Sequence, residues 1–238
     1  MQVEELLKQA AKEMGIDLKE SQCSNFMKYM ALLLEWNEKI NLTAITDQNE
    51  IVIKHFIDSL TCCKYIKNDY KVIDVGTGAG FPGIPIKILL GEQVEVLLMD
   101  SLAKRLKILD IIVEELGLKK IKTIHGRAED IGINKQYRGR YDIAVSRAVA
   151  NLAVLVEYCM PLIKTGGCML AMKGGEPEQE VYGADKAIKT LGGEIEAIEK
   201  INLPMSDITH SIIAIRKIKD TPAVYPRKAG KVEREPIQ

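Results

Sequence analysis

The sequence has few of the residues and patterns that mark metal-binding, disulfide-stabilised or membrane proteins. Its 238 residues include only five cysteines, an odd number without a C-x-x-C pair, and three scattered histidines. These spacings argue against a disulfide framework and against a zinc site. No apolar run approaches the roughly 20 residues that cross a bilayer, and the first residues lack a signal-peptide core. We therefore expect no metal, no membrane association and a cytoplasmic location.

A net charge is also absent, because 33 basic and 33 acidic side chains balance. The charges are nevertheless unevenly distributed. Residues 1–50 hold nine acidic and five basic side chains, whereas residues 216–238 hold three acidic and seven basic ones. A basic chain end is a typical binding surface for a polyanion. Charge alone favours the simpler interpretation that this end is a solvated tail.

Two patterns of apolar residues divide the chain. In residues 1–50 they recur at helical spacing, and "DLKE" is typical of a capping box in which Asp17 begins a helix and Glu20 lies three residues later. From about Lys71, short β-rich runs alternate with amphipathic stretches, and two strand-like runs end the alternation. This order predicts an α/β, Rossmann-like fold with a mostly parallel sheet and a final antiparallel strand, preceded by an N-terminal helical extension.

We expect three regions along the chain. They are an N-terminal helical region, a Rossmann-like domain and a basic C-terminal tail, at residues 1–50, 51–218 and 219–238. Prolines and a glycine in the last region predict irregular structure there.

The stretch "DVGTGAGFPG", from Asp74 to Gly83, follows a predicted strand and precedes a predicted helix. Glycines there let a ligand approach backbone N–H groups closely. A phosphate loop ending in G-K-[ST] is absent, and Phe81 stands where a dinucleotide fingerprint needs its third glycine. The remaining spacing, G-x-G-x-G at Gly76, Gly78 and Gly80, is similar to the S-adenosyl-L-methionine (SAM) loop of methyltransferases. A structural turn without a ligand is the alternative interpretation.

Asp100, at the end of the next predicted strand, supports a nucleoside ligand. A carboxylate at this position can accept hydrogen bonds from both ribose hydroxyls. It can also serve as a helix N-cap for the following "SLAKR", and the two roles are compatible. After the third strand, backbone groups of Ala128 and Glu129 lie where they could contact an adenine ring. Arg147 ends the fourth strand, at the edge of the sheet where ligands bind.

These motifs together resemble one family, the bacterial ribosomal RNA small subunit methyltransferase G family, also called glucose-inhibited division protein B. The resemblance spans roughly residues 35–230. It rests on "EWNEKINLT", "KHFIDSL", "DVGTGAGFPGIP", "DSLAKR", "SRAVANL", "PLIKTGG" and "YPRKAG", in that order. Lys54 departs from the arginine that is frequent before "HF" in the family.

The resemblance implies methyl transfer from SAM to N7 of one guanine in the 530 loop of 16S rRNA. The partner would be this RNA or the small ribosomal subunit, and we expect a monomer. The cofactor positions implied by the family or by the wider methyltransferase pattern are Gly76, Gly78, Gly80, Phe81, Asp100, Ser101, Ala128, Glu129 and Arg147. The candidates for contact with RNA phosphates are Lys173, Arg227, Lys228, Lys231 and Arg234.

The reaction implied by the resemblance needs no proton acceptor, because guanine N7 has a lone pair and no proton. The sequence correspondingly shows no obvious pairing of His with Asp or Cys, and we assign no residue as acid or base; Arg147 is a positioning residue. Cys159 and Cys168 lie in apparent core elements and are interpreted as buried apolar residues rather than nucleophiles. Two other functions remain open: a SAM-dependent methyltransferase of a small molecule or another RNA, and a SAM- or RNA-binding module without catalysis.

Overall fold

A seven-stranded sheet forms the centre of the computed structural model, which describes residues 2–237. Its strand order is β3-β2-β1-β4-β5-β7-β6. The strands are β1 Lys71–Val75, β2 Glu95–Asp100, β3 Ile121–His125, β4 Tyr141–Arg147, β5 Ile163–Gly174, β6 Gly193–Asn202 and β7 Thr209–Lys217. The first five strands are parallel, and β7 runs antiparallel to both β5 and β6. The predicted α/β class and the closing antiparallel pair are confirmed.

Helices cover both faces of the sheet. They are α1 Val3–Glu13, α2 Glu20–Asn37, α3 Gln48–Ile51, α4 Asp58–Leu60, α5 Gly83–Leu90, α6 Ala103–Glu115, α7 Ala128–Ile133, α8 Leu152–Cys159, α9 Glu178–Thr190 and α10 Lys231–Arg234. Side chains of a strand alternate between faces, so Val72 joins one apolar core and its neighbour Ile73 joins the other. The first core contains residues of α1, α2, α5 and α6, and the second contains residues of α7, α8 and α9.

The N-terminal helices begin differently from the predicted capping box. Helix α2 begins at Glu20, and the side chain of Gln22 accepts a hydrogen bond from the backbone N–H of Lys19 at 2.7 Å. Asp17 therefore does not cap this helix, because the chain turns into the helix two residues later. Glutamine fills the third helical position as well as glutamate does, since either can accept this bond.

The helical layer does not end at residue 50. Helix α3 continues into a π-helical stretch, Val52–Ile57, then into α4 and a 3₁₀ turn, Thr61–Tyr65. Phe26 of α2 and Phe56 of this stretch are fully buried in the same core as the sheet, with their ring centroids 5.0 Å apart. The division of the chain at residue 50 stays a prediction.

The C-terminal segment packs against the second face of the sheet, although its sequence predicted an irregular tail. Arg138 holds it by donating hydrogen bonds to the carbonyl oxygens of Thr221 and Tyr225, at 2.8 and 2.7 Å. Val232 of α10 is fully buried in the second core. An apolar residue between charged neighbours thus ties the tail to the second core beside α8.

Candidate active site

The glycine-rich loop joins β1 to α5 and lines a first cavity of about 370 Å³. Gly76 and Gly78 are at its wall with φ values of 74° and 59°, a region that residues with a Cβ rarely adopt. Gly80 does not line this cavity and instead faces the core. A Cβ there would lie 2.7 Å from the Tyr29 hydroxyl, so this glycine allows the loop to pack on α2. The structure therefore brings two of the three predicted glycines to the cavity.

Asp74, which the sequence did not single out, holds the loop from below. One carboxylate oxygen accepts hydrogen bonds from the Thr77 hydroxyl at 2.7 Å and the Gly83 N–H at 2.8 Å. The other oxygen, Oδ1, is buried and has no partner among the described residues. Burial raises the pKa of Asp74 to about 7, an effect that these hydrogen bonds partly offset. Asp74 lines none of the cavities, so its role is to support the loop from the core side.

Asp100 joins the glycine loop to the following turn. Its Oδ2 accepts a hydrogen bond from the Gly78 N–H at 2.9 Å, and its Oδ1 accepts one from the Leu102 N–H at 2.8 Å. The predicted N-cap role of Asp100 is wrong, because the N-cap of α6 is Leu102 and the Asp100 carboxylate bonds to the turn before the helix. Asp100 and Ser101 line both the first cavity and the second, so an adenosine spanning the two would pass over this carboxylate.

The second cavity, about 310 Å³, lies between the ends of β1 and β2 and helix α7. Ala128 and Glu129 line it at the start of α7, as the sequence predicted. Sequence reasoning missed two further lining residues, Tyr158 and Glu233, which are hydrogen bonded to each other at 3.1 Å. Glu233 belongs to the C-terminal tail, and no local motif links it to a cavity built mostly from residues 75–129.

Val149 lies between the two cavities and lines both. Its Cγ2 is 2.5 Å from the position that a Cβ on Gly76 would take, and the preceding Ala148 has a φ of 56°. The Val149 side chain therefore covers the backbone of Gly76 where the two cavities meet.

Arg147 is the centre of a buried cluster at the end of β4. Its Nη1 donates hydrogen bonds to the Lys54 carbonyl at 2.8 Å and to Asp58 Oδ2 at 2.7 Å, and its Nη2 donates to His55 Nδ1 at 3.1 Å. The guanidinium carbon lies 5.1 Å from the centroid of the Phe81 ring, on which His55 stacks at 4.4 Å. The cluster ties the π-helical stretch to the glycine loop and to β4.

Charges in this cluster shift the pKa values of its members. Burial lowers the pKa of His55 to about 4, and the Arg147 charge acts in the same direction. Burial alone would raise the pKa of Asp58, but the hydrogen bond from His210 and the Arg147 charge hold it below its ordinary value. His55 is therefore neutral and Asp58 ionised at neutral pH. The motif "KHFIDSL" contained the signal for both residues, but it did not reveal that they meet Arg147.

A third cavity, about 460 Å³, shares Arg147 and Ala148 with the first. A larger cavity of about 840 Å³ lies at the opposite edge of the sheet, where Lys71, Glu95 and Tyr141 begin their strands. Ligands of open α/β sheets bind at the carboxyl ends of the strands, so the three smaller cavities mark the candidate active site.

The basic residues predicted to contact RNA fall into two groups. Lys173 is largely buried and bonded to Glu180 at 2.5 Å, and Arg227 forms a two-pronged pair with the fully buried Glu157. These two charges are already neutralised within the protein. The exposed side chains are Lys228, Lys231 and Arg234.

Other candidate chemistries lack support from the described residues. All five cysteines are buried and unpaired, and burial raises the pKa of Cys168 to about 12 and that of Cys159 beyond its ordinary range. Within residues 2–237, no group of three or more metal-ligating side chains comes together. No helix of the same residues combines the length and apolar character needed to cross a bilayer.

The fold and the site together define a class, the Rossmann-like SAM-dependent methyltransferases. Two solved structures are similar over much of the chain: a SAM-dependent methyltransferase from Aquifex aeolicus and NSun6 from Pyrococcus horikoshii with SFG. Their TM-scores are 0.54 and 0.56, each at 16% identity. The first covers 76% of this chain and 97% of its own, and the second covers 69% and 52%. At this identity the likeness shows the fold alone.

Sequence comparison identifies the family. The family model described as rRNA small subunit methyltransferase G matches residues 22–209. Two proteins named ribosomal RNA small subunit methyltransferase G are 51% and 52% identical to the chain, one from Alkaliphilus oremlandii and one from Desulforamulus reducens. They match over 100% and 97% of both partners. The chain belongs to this family, and the predicted family, enzyme class and methyl donor are confirmed.

The residues present fit SAM. Gly76 and Gly78 leave bare backbone at the first cavity, Asp100 lies where the two cavities meet, and Ala128 lines the second. These residues would hold SAM along the carboxyl ends of β1, β2 and β3.

Proposed function

We propose that the protein transfers a methyl group from SAM to N7 of a guanine in the 530 loop of 16S rRNA. The observation that carries this proposal is the Arg147 cluster at the boundary of the first and third cavities. His55 and Asp58 are both engaged in holding Arg147. His210, whose pairing with Asp58 the sequence did not show, contacts Asp58 through Nδ1. A reaction that removes no proton suits such a site, and N7 of guanine has a free lone pair.

The chemistry requires little from the side chains beyond alignment. When bound, SAM supplies a methyl group on a positively charged sulfur, which leaves as a neutral thioether when N7 attacks. Rigid placement of the reacting groups removes much of the entropic barrier. The cluster supplies this rigidity, because Phe81 is stacked on His55 and covered by Arg147. Arg147 acts as a positioning residue and moves no proton.

The proposed cofactor residues remain those of the sequence analysis, with different tasks. Gly76, Gly78, Phe81, Asp100, Ser101 and Arg147 line the first cavity, and Ala128 and Glu129 line the second. Gly80 supports the loop from the core side. Val149 lines both cavities and covers the backbone of Gly76.

Contact with RNA is proposed for the exposed cations of the tail, Lys228, Lys231 and Arg234. Phosphate contacts supply most of the affinity of such proteins for RNA. Lys173 and Arg227 were predicted for the same task, but their ion pairs with Glu180 and Glu157 favour anchoring roles. An enzyme of this function works where ribosomal subunits are made, so we place it in the cytoplasm, and we infer a monomer. We also keep the proposed regions 1–50, 51–218 and 219–238.

The proposal is tested by incubating the protein with radiolabelled SAM and either 16S rRNA or small subunits from a strain that lacks this modification. Nucleoside analysis should show N7-methylguanosine in at least one substrate, and sequencing should map it to the 530 loop. Label in a different nucleoside would favour another RNA target. Absence of label from both substrates would contradict the proposal.

A further inference from the structure

The third cavity is next to the cofactor site and has a mostly apolar wall. Arg147 and Ala148 separate it from the first cavity, and Met172, Leu203 and Ile208 line its other side. Its volume of about 460 Å³ is in the range of cavities that hold small organic ligands. A flat heterocycle in it would have one edge toward the cofactor site.

His210 lines this cavity and is hydrogen bonded to the Arg147 cluster. Its Nδ1 contacts Asp58 Oδ1, while Asp58 Oδ2 accepts from Arg147 at 2.7 Å. His210 is 6% exposed, and its Nε2 has no hydrogen-bond partner among the described residues. With the proton on Nδ1, the Nε2 atom carries a lone pair that nothing in the described chain satisfies.

Two features indicate that this arrangement serves a ligand. His210 Nε2 is a buried polar atom without a partner in a residue that lines a cavity, whereas the unpartnered Ser211 Oγ belongs to a residue that does not line it. Asp58 also follows directly on the π-helical stretch Val52–Ile57, a distortion that is frequent at functional sites. The distortion places the Lys54 carbonyl and Asp58 together on the same guanidinium.

We propose that the third cavity binds the acceptor guanine and that His210 Nε2 accepts a hydrogen bond from its N1–H, on the Watson–Crick edge. This inference rests on the proposed function. N7 of the same base then faces Arg147 and the first cavity, because N7 and N1 lie on different edges of a purine. The base enters as an unpaired, extruded nucleotide, since its Watson–Crick edge is occupied in a duplex.

This contact selects guanine over adenine. Both purines carry a nucleophilic N7, so N7 itself cannot distinguish them. The N1 atom of guanine is a donor, whereas the N1 atom of adenine has a lone pair that would face the lone pair of His210. A site whose buried acceptor is left unpaired rejects the wrong base strongly.

The contact also becomes stronger as the reaction proceeds. Attack by N7 leaves a positive charge on the purine, which makes its N1–H a better donor. A hydrogen bond that strengthens in this way lowers the barrier, because it is stronger in the transition state than in the ground state. Asp58 fixes the tautomer that such an acceptor needs.

A base can reach His210 Nε2 only if side chains that line the third cavity move. This nitrogen has almost no exposed surface of its own, so the base has to press apart the side chains around it. The lining Met172 is flexible and can adapt to a flat ring. The energy for this movement comes from burial of the base.

The test compares His210→Ala with the wild type on small subunits reconstituted with 16S rRNA that carries either guanine or adenine at the methylated position. We expect kcat with guanine to fall roughly 10- to 100-fold in His210→Ala, with an unchanged Kd for SAM by calorimetry. We also expect the ratio of rates on guanine and adenine to fall toward one. His210→Gln should recover part of kcat with guanine and part of the preference for guanine over adenine, because the glutamine amide oxygen can accept a hydrogen bond.

Ser211→Ala is the matched control. Ser211 is the next residue of β7, is buried on the other face of the sheet and also has an unpartnered hydroxyl, so its removal should change neither kcat nor the ratio. A His210→Ala enzyme with wild-type kcat, or with lower kcat and an unchanged base ratio, would overturn the inference. The wild type separates the two hypotheses: if it forms no N7-methylguanosine, the proposed function fails first.

Discussion

The two halves of the active site are built in different ways. The cofactor half consists mainly of backbone in one short stretch, Gly76–Phe81, supported by Asp74 and Asp100 from the strands beside it. The acceptor half consists of side chains from distant segments, with Asp58, Arg147 and His210 in one buried cluster. Backbone geometry leaves a strong local pattern in a sequence, whereas a cluster of side chains leaves only scattered residues. The comparison predicts that the two halves respond differently to mutation.

The largest effect should come from the cofactor half. Gly76→Asp is expected to abolish SAM binding, because the new side chain meets Val149 at 2.5 Å from its Cβ and enters the first cavity. Calorimetry should show no measurable affinity. Gly117→Asp is the control: this glycine also has a positive φ, 62°, but nothing lies within 4 Å of its Cβ position. It should cost about 1–2 kcal/mol of stability and leave SAM affinity unchanged. Normal affinity in Gly76→Asp would contradict this placement of the site.

In the acceptor half, we expect the protein to lose stability when one member of the buried Arg147–Asp58 ion pair is removed. Asp58→Ala leaves Arg147 buried without its carboxylate partner and is expected to lower the free energy of unfolding by about 3–5 kcal/mol. Arg147→Met combined with Asp58→Ala should cost less than the sum of the two single changes. Urea denaturation of the four proteins measures this coupling. Additive effects would show that the pair does not act as a unit.

The same pair has a pH dependence of defined sign. The pKa of Asp58 is lower in the folded than in the unfolded protein, so the pair contributes stability above the unfolded pKa of about 4. That contribution should disappear as the pH falls through the lower, folded pKa. The Asp58→Ala protein should lack this part of the acid-induced loss.

Asp74 should show the opposite sign. Its pKa is raised to about 7 by burial, so its contribution is fully present below about pH 4 and is lost as the pH rises through 7. Relative to Asp74→Asn, the wild type should lose roughly 2–4 kcal/mol of unfolding free energy between pH 4 and 8. Urea denaturation across this range measures the difference. A difference between the two proteins that does not vary with pH would contradict the raised pKa.

The smallest effects are expected from substitutions in the C-terminal tail. They should distinguish a residue that anchors the tail from a residue that contacts RNA. Arg227→Ala removes the side-chain hydrogen bonds to the buried Glu157, which keeps the bond from the backbone N–H, and is expected to lower stability by about 2 kcal/mol. Its neighbour Lys228 is exposed, so Lys228→Ala should leave stability unchanged and weaken RNA binding, with a salt dependence smaller by about one phosphate contact. Binding measured at several salt concentrations tests this division. Equal effects of both variants on stability would contradict it.

The difference between the half built from backbone and the half built from distant side chains also explains which parts of the site could be predicted from the sequence. Gly76, Gly78 and Asp100 follow strands at fixed offsets, because a ligand at the edge of a parallel sheet needs bare backbone and then an acceptor. His210 and Glu233 carry no such signal, since they reach their cavities from 134 and 157 positions after the loop's first glycine, Gly76. Lys173 and Arg227 had the right charge for RNA, but their buried partners Glu180 and Glu157 were not visible in the sequence.

The amino-acid sequence by itself determined the α/β class and the order of strands and helices, because periodicity and loop spacing are local properties of a chain. Its motifs also carried the resemblance to the family, and with it the methyl donor. Only the tertiary structure decided which charges are free. It paired Arg227 with Glu157 and placed Arg147 between His55 and Asp58. The physical reason is that the burial and pairing of a charged side chain depend on which distant segments of the chain meet in the fold. A charged side chain can bind an external partner such as RNA only where the fold provides no ion-pair partner for it.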